Sequence, residues 1–228
     1  MSWERAATLP GIELVKWVAL LLMVGDHTNA YLAKYSIPYL YELGRIAFPL
    51  FALIFAFNLA RPGAIESGAI ARAALRLAVI GVVSLLPIYC IEGRPGGIMP
   101  INIMFTLLLG LICIWGALEQ KAAPLFLAIV GLVLFGGFVE YFWPGCLLVP
   151  LAFWWFRTRS VSAGIAVSVG VASLVWINGN HWALLAIPIF FVLGSLQVRI
   201  PRMKWFFYAF YPLHLGLIAA LQHVIPAP

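Results

Sequence analysis

The residues best suited to acid–base chemistry stand in an apolar stretch, ELVKWVALLLMVGDHTNAYLA, which contains Asp26 and His27. An ionisable side chain inside such a segment is costly in a membrane, which suggests a function. An imidazole exchanges protons near neutral pH, so His27 could act as a general acid or base. Because side chains of adjacent helical residues diverge by about 100°, Asp26 and His27 cannot easily bond to each other. We therefore expect separate roles for them.

A partner for Asp26 is expected on the next apolar segment, which carries Arg45. The short connection at residues 34–38 makes the two segments antiparallel neighbours. By the helical rise, Asp26 and Arg45 each lie roughly 10 Å from that connection. The sequence therefore predicts an Asp26–Arg45 ion pair, which leaves His27 to face a cavity. A purely structural role for the pair stays open.

Other polar residues are expected at a similar depth. Asn29 follows His27 by two positions, Asn102 stands near the start of another apolar segment, and FYPLHLGLI near the C-terminus supplies Tyr211 and His214. A lone histidine among apolar residues is more often a hydrogen-bonded core group than a catalytic one. Several such groups on different helices strengthen the functional interpretation.

Two further cations, Arg72 and Arg76, are four residues apart in ARAALRLAVIG. This spacing puts both guanidinium groups on one face of a helix. Guanidinium groups bind phosphate well, so the pair could hold a phosphorylated cytosolic ligand. Membrane topology alone also predicts cations at this place.

The composition requires a membrane to position these residues. Of 228 residues, 64% are hydrophobic and 10% charged, and the mean hydropathy is +1.03. A length of about 20 apolar residues per helical span predicts an all-α polytopic bundle, one domain over residues 1–228. The nine predicted spans cover residues 12–32, 39–60, 70–90, 99–118, 123–142, 146–156, 161–177, 182–196 and 205–225, and the sixth is short.

The distribution of Lys and Arg predicts the orientation. With nine spans and a cytoplasmic N-terminus, eleven of the 14 Lys and Arg residues fall on the cytoplasmic side, and Lys34, Arg45 and Arg94 do not. Omitting the short sixth span would put the basic groups at residues 157–159 and 199–204 on opposite sides. We therefore expect nine membrane spans in contact with lipids, with the N-terminus on the cytoplasmic side.

Several function classes are excluded or disfavoured. The net charge of +6 is dispersed between apolar segments, which argues against nucleic-acid binding. Cys90, Cys113 and Cys146 are widely spaced and predict neither a metal site nor a disulfide framework. No P-loop, GxSxG, HExxH or Rossmann fingerprint is present.

Five stretches together resemble the TraX family of integral-membrane acetyltransferases, named for the enzyme that N-acetylates the conjugative F pilin. They are LVKWVALLLMVGDHTNAYL, YELGRIAFPLFALIFAFNLARPG, RAALRLAVIG, INIMFTLLLGL and FYPLHLGLI, in the family's order, and GDH and GRIAFPLF are the most specific. The resemblance touches both ends of the chain. Residues 119–197 match only as apolar helix.

The resemblance implies acetyl-CoA as donor and an amine outside the cytoplasm as acceptor, most simply a pilin N-terminus. It makes His27 the acid/base residue, with Asp26 and Arg45 shaping its surroundings. Substrate-binding candidates are Asn29, Asn102, Tyr211 and His214. The phosphates of CoA would dock at Arg72 and Arg76, and its pantetheine arm would reach His27.

Three questions stay open. Direct transfer is preferred because no Cys or Ser stands in the polar cluster, but an acetyl-imidazole on His27 is an alternative. A small transporter or proton-coupled carrier would use the same buried groups, although no inverted repeat is evident. A noncatalytic assembly factor would use them only to hold helices together. The sequence fixes neither the oligomeric state nor the acceptor.

Overall fold

The chain forms a bundle of α-helices in a computed structural model that describes residues 9–91 and 99–224. Besides α-helices, these residues contain a 3₁₀ turn at Trp182–Leu185 and an isolated β-bridge between Ile101 and Val139. The all-α class is therefore confirmed. The helices are α1 (Ile12–Tyr31), α2 (Pro38–Gly44), α3 (Ala47–Ala60), α4 (Ala69–Cys90), α5 (Ile103–Leu118), α6 (Ala122–Phe135), α7 (Phe142–Thr158), α8 (Val161–Ala172), α9 (Val175–Asn178), α10 (Ala186–Ser195) and α11 (Lys204–Val224).

Each of the nine predicted spans contains helix. The second span is divided into α2 and α3, the seventh into α8 and α9, and the eighth into the 3₁₀ turn and α10. Among the described residues, Pro38–Ala60, Ala69–Cys90 and Val161–Asn178 are long and apolar enough to cross a membrane. The chain is therefore a membrane protein, and its orientation stays a prediction.

Two predicted spans have wrong boundaries. The fifth, at residues 123–142, extends too far, because α6 ends at Phe135 before Gly136 and Gly137. Consecutive glycines destabilise a helix, but they do not lower the mean hydropathy enough to mark its end, so the predicted span continued past them. The sixth, at residues 146–156, is too short, because α7 occupies the 17 residues Phe142–Thr158.

Smaller differences occur at other ends. The fourth predicted span corresponds to α5, which begins at Ile103 rather than residue 99, because the side chain of Asn102 caps it. The predicted end of the last span, residue 225, lies outside the described residues, as do Arg5 and Arg94.

The core is built around α3 and α7. Leu50, Leu53, Val149 and Phe153 on these helices are fully buried. By contrast, α4 and the α8–α9 segment are mostly exposed and carry large apolar side chains at the surface, among them Val82, Val83, Leu86, Ile165 and Val169. An apolar surface on the outside and small residues between helices fit a bundle surrounded by lipid.

A local pairing positions the connection between α6 and α7. The amide of Ile101 donates to the carbonyl of Phe138 at 2.7 Å, and the amide of Glu140 donates to the carbonyl of Ile101 at 2.9 Å. The hydroxyl of Thr106 donates to the carbonyl of Glu140 at 2.6 Å. Residues 138–141 are thereby fixed beside the start of α5.

Candidate active site

The predicted ion pair between Asp26 and Arg45 is confirmed. Nη2 of Arg45 donates to Oδ1 of Asp26, and the side chains of Arg45 and Asp26 are only 14% and 15% exposed, respectively. Nε of Arg45 donates to the carbonyl of Tyr41 at 3.1 Å, and the guanidinium lies 4.3 Å from the centre of the Tyr41 ring. Each charge therefore has a compensating partner inside the bundle.

Arg45 can reach Asp26 because the second predicted span is interrupted. α2 ends at Gly44 and α3 begins at Ala47, so Arg45 lies at the break. A Cβ atom on Gly44 would lie 2.5 Å from the side chain of Asp26. Glycine is therefore required here for α1 and α2 to approach closely.

His27 pairs with His214 on the last helix, α11. Nδ1 of His27 lies 2.7 Å from Nε2 of His214. Nδ1 of His214 lies 3.0 Å from the carbonyl oxygen of Phe210. His214 is buried, with 7% exposure. The sequence placed both histidines among the site candidates but did not predict that they are hydrogen-bonded.

A cavity of about 250 Å³ is lined by the Asp26–Arg45 pair and by His27. We call this cavity the imidazole cavity. Its wall combines these charged groups with aromatic rings. Burial, followed by the charge of Asp26, raises the pKa of Tyr35 in the connection between α1 and α2. Residues that line the cavity include Asp26, His27, Tyr31, Tyr35, Arg45, Phe48, Phe51, Glu140, Tyr141 and Tyr211.

Tyr141 and Glu140 in this wall were not predicted as site residues. Tyr141 packs on Phe48 with ring centres 4.1 Å apart. Both enter the site because the pairing at Ile101 brings the connection between α6 and α7 beside α5. The sequence analysis assigned residues 123–142 to a single span, so this connection was hidden inside it. The paired glycines 136 and 137 were the signal that could have revealed it.

A second cavity, of about 690 Å³, is lined by four cations and one carboxylate; we call it the basic cavity. The cations are Lys16, Arg61, Arg72 and Arg202. The carboxylate, Glu13, lies 2.7 Å from Nζ of Lys16 and 3.4 Å from Nε of Arg202. Four cations against one anion leave a positive surplus that suits a polyanionic ligand.

Of these cations, only Arg72 was predicted as a ligand residue. Lys16, Arg61 and Arg202 were counted as topological charges on the cytoplasmic side, where they were expected from the positive-inside rule. They converge because three parts of the chain meet at one end of the bundle. These are the start of α1, the end of α3 and the loop that precedes α11. Their grouping on one predicted side was the available signal, but helix packing decides which of them meet.

The two cavities lie in succession along the same four helices. α1 supplies Lys16 to the basic cavity and His27 to the imidazole cavity. α3, α5 and α11 also contribute to both, and Phe51 of α3 lines both. Lys16 and His27 are eleven positions apart on α1, a rise of about 17 Å. The cavities therefore adjoin at Phe51 and together follow the length of the bundle.

Two predicted substrate-binding residues are used elsewhere. The amide of Asn29 is fully buried and bonds both backbone groups of Ile37, at 2.9 and 3.1 Å. The amide of Asn102, also fully buried, accepts from the amide of Met104 and donates to the carbonyl of Gly81. Neither lines a cavity described above. Polarity at a suitable depth suggested a ligand, but these side chains satisfy local backbone groups.

Arg76 also differs from its predicted role. Arg72 folds back onto Ser67, donating to the backbone carbonyl and, at 3.1 Å, to the hydroxyl. The guanidinium of Arg76 instead lies over two rings of α11, 5.7 Å from Trp205 and 5.4 Å from Tyr208. Among the described residues, Arg72 lines the basic cavity and Arg76 does not. Spacing by four put them on one face, but the neighbouring aromatic rings hold Arg76 away.

Comparison with known proteins gave one positive finding. A family model described as TraX protein matches residues 11–222, which include nearly the whole bundle and both cavities. No curated protein matches the chain, and no solved structure matches it.

Proposed function

The chain belongs to the TraX family, and on this premise we propose that it is an acetyl-CoA-dependent N-acetyltransferase of the bacterial inner membrane. The donor enters the basic cavity from the cytoplasm. The acceptor is an amine outside the cytoplasm, most simply the N-terminus of a pilin. The observation that carries the proposal is the succession of a cationic cavity and a cavity lined by His27 along the same four helices.

The basic cavity fits the phosphate-rich end of CoA. Arg61 and Arg72 supply guanidinium groups and Lys16 an ammonium group, which bind phosphate through charge-assisted hydrogen bonds. Pro62 and Gly63 form part of the wall beside Arg61, and the rings of Phe207 and Tyr208 form another part. The aromatic part offers stacking surface to a base such as adenine.

The distance between the cavities fits the pantetheine arm. From the phosphate ester to the sulfur this arm has twelve chain bonds, which equal four peptide residues and extend about 14 Å. The axial separation of Lys16 and His27 along α1 is about 17 Å, which is comparable with this reach. A phosphate held in the basic cavity therefore leaves the sulfur within reach of the imidazole cavity, past Phe51.

The imidazole cavity provides the chemistry that acetyl transfer needs. Acetyl-CoA supplies an activated acyl group, and the acceptor amine must lose a proton. An imidazole can accept this proton as a general base, and His27 is the imidazole that lines this cavity. The Asp26–Arg45 pair keeps a fixed positive group and a fixed negative group beside it. No Cys or Ser is among the described lining residues of this cavity, which favours direct transfer over an acyl-enzyme on such a residue.

The donor site is tested by measuring CoA binding to the purified protein in lipid nanodiscs by calorimetry. Arg61→Ala removes one charge-assisted contact, so the affinity should fall about tenfold or more. Arg199→Ala is the matched control, because Arg199 is exposed, belongs to the same basic end of the chain and does not line the basic cavity. Equal affinities of the two variants would contradict the proposed donor site.

Catalysis is tested with radiolabelled acetyl-CoA and a peptide that carries a pilin-like N-terminus. His27→Ala should abolish transfer while CoA affinity stays unchanged, because His27 lies about 17 Å along α1 from Lys16 and does not line the basic cavity. Full activity of this variant would exclude His27 as the base. An absence of transfer by the wild-type protein, with proton-coupled uptake of a solute instead, would favour the carrier interpretation.

A further inference from the structure

The rings of His27 and His214 meet edge to edge. The nitrogens Nδ1 of His27 and Nε2 of His214 are 2.7 Å apart, the ring centres are 5.0 Å apart and the ring planes differ by 7°. With nitrogens this close and centres this distant, both rings lie nearly in one plane along the line between the nitrogens. This geometry is that of a ring N–H that donates to the in-plane lone pair of a second ring.

The second nitrogen of His214 decides which ring donates. Nδ1 of His214 lies 3.0 Å from the carbonyl oxygen of Phe210. A carbonyl oxygen only accepts hydrogen bonds, so Nδ1 of His214 carries a proton. In a neutral imidazole the other nitrogen, Nε2, is then the acceptor. It follows that Nδ1 of His27 is the donor between the rings.

This order of donors determines the proton-accepting atom of His27. With its proton on Nδ1, neutral His27 carries its lone pair on Nε2. We infer that His214 is a positioning residue that holds His27 in the Nδ1–H tautomer and so makes Nε2 the proton acceptor. His214 acts only through His27, as the orienting group behind a catalytic histidine does. The chain of bonds begins at the backbone of α11, at Phe210.

The packing around His214 suits such a role. Its ring lies parallel to the Phe210 ring, with centres 5.2 Å apart and planes 9° apart, and the Tyr211 ring is 5.6 Å away. The residue is only 7% exposed. A ring that is enclosed and bonded at both nitrogens has one orientation. His27 is thereby held from α11, across the interface between the first and last helices.

The inference rests on the proposed acetyl transfer and specifies its proton path. As the bond between the acceptor nitrogen and the acetyl carbon forms, Nε2 of His27 takes the proton from that nitrogen. As the carbon–sulfur bond breaks, its electron pair leaves with sulfur, and Nε2 returns the proton to the sulfur. The Nδ1–H bond to His214 is kept throughout. The imidazole is therefore restored after each turnover.

The tautomer is tested without any substrate. Protein labelled with nitrogen-15 histidine is placed in lipid bilayers, and solid-state NMR reports which ring nitrogen of each histidine carries a proton. His27 should carry it on Nδ1 in the wild-type protein, and His214→Leu should shift the proton toward Nε2. His181→Leu is the matched control, because His181 is exposed. A wild-type His27 with its proton on Nε2 would overturn the inference.

Kinetics provide the second test. His214→Leu should lower kcat about 100-fold, within the range attributed to general-base catalysis, with the KM for acetyl-CoA unchanged. His214→Gln should restore at least a tenth of wild-type kcat, because its side-chain oxygen can accept from Nδ1 of His27. Equal kcat for the two variants, with both folded, would overturn the positioning role. If the wild-type protein transfers no acetyl group, the proposed function fails, and NMR alone still decides the tautomer.

Discussion

The Asp26–Arg45 pair allows the cost of an uncompensated charge in this bundle to be predicted. Asp26→Asn leaves the guanidinium charged and largely buried, with 14% exposure. Loss of one partner of a buried pair costs about 3–5 kcal/mol. Two unit charges about 4 Å apart at an effective dielectric constant of 20 attract by about 4 kcal/mol, which agrees with this range. Because Arg45 keeps its bond to the Tyr41 carbonyl, we expect a loss of about 3 kcal/mol.

The reverse substitution is expected to cost less. Arg45→Gln leaves a carboxylate, which can take up a proton and become neutral, whereas a guanidinium stays charged. The double variant Asp26→Asn/Arg45→Gln contains no uncompensated charge and should be more stable than Asp26→Asn alone. The coupling free energy between the two positions should therefore be about 2–3 kcal/mol, within the range found for residues in direct contact.

The assay is reversible unfolding of the four proteins in mixed micelles, followed by tryptophan fluorescence. The exposed pair Glu119–Lys121, with 3.8 Å between its charged atoms, serves as the control cycle and should show a coupling close to nil. Strictly additive losses at Asp26 and Arg45 would refute the assignment of this contact as a compensated buried ion pair.

Three further outcomes are expected. Gly44→Ala and Gly110→Ala should each cost about 1–3 kcal/mol of stability, because the added Cβ lies 2.5 Å from Asp26 in the first variant and 2.6 Å from Val149 in the second. When equal amounts of folded protein are compared, only Gly44→Ala should lower acetyl transfer, and equal activities of the two variants would disprove this. Asn102→Leu should lower the free energy of unfolding by about 0.5–2 kcal/mol, because α5 loses its N-terminal cap, and thermal unfolding measures this loss. A weaker affinity for CoA or for the acceptor at unchanged stability would instead assign Asn102 to the binding site. Arg76→Ala should weaken CoA binding in calorimetry less than Arg61→Ala does, and the opposite order would restore Arg76 as a phosphate ligand.

Hydropathy and connection length were sufficient to predict the features that involve helices adjacent in the sequence. The short connection at residues 34–38 sufficed to predict that Asp26 and Arg45 meet, because it fixes two antiparallel segments at one register. Hydropathy gave nine segments, all of which contain helix. It missed the break at Arg45, since Gly44 and Arg45 interrupt an apolar run without changing its average.

Features that depend on packing between distant helices were not predictable. His27 and His214 are 187 residues apart in the chain and pair because α1 and α11 are neighbours. The basic cavity joins cations from α1, from the residue after α3, from α4 and from the loop before α11, and positive-inside counting treats all of them as equivalent charges. For Asn29 and Asn102 the sequence shows a polar group but not its partner, and both partners are backbone groups.

The central claim is that donor and acceptor reach one reaction centre through cavities at different levels of the bundle. It is tested most directly in sealed proteoliposomes that contain a charged, pilin-like peptide inside and receive radiolabelled acetyl-CoA outside. We expect acetylated peptide in the lumen and free CoA outside, in the fraction of molecules whose basic cavity faces outward, and neither product with His27→Ala. Acetylation that occurs only when donor and acceptor are on the same side of the membrane would contradict the account.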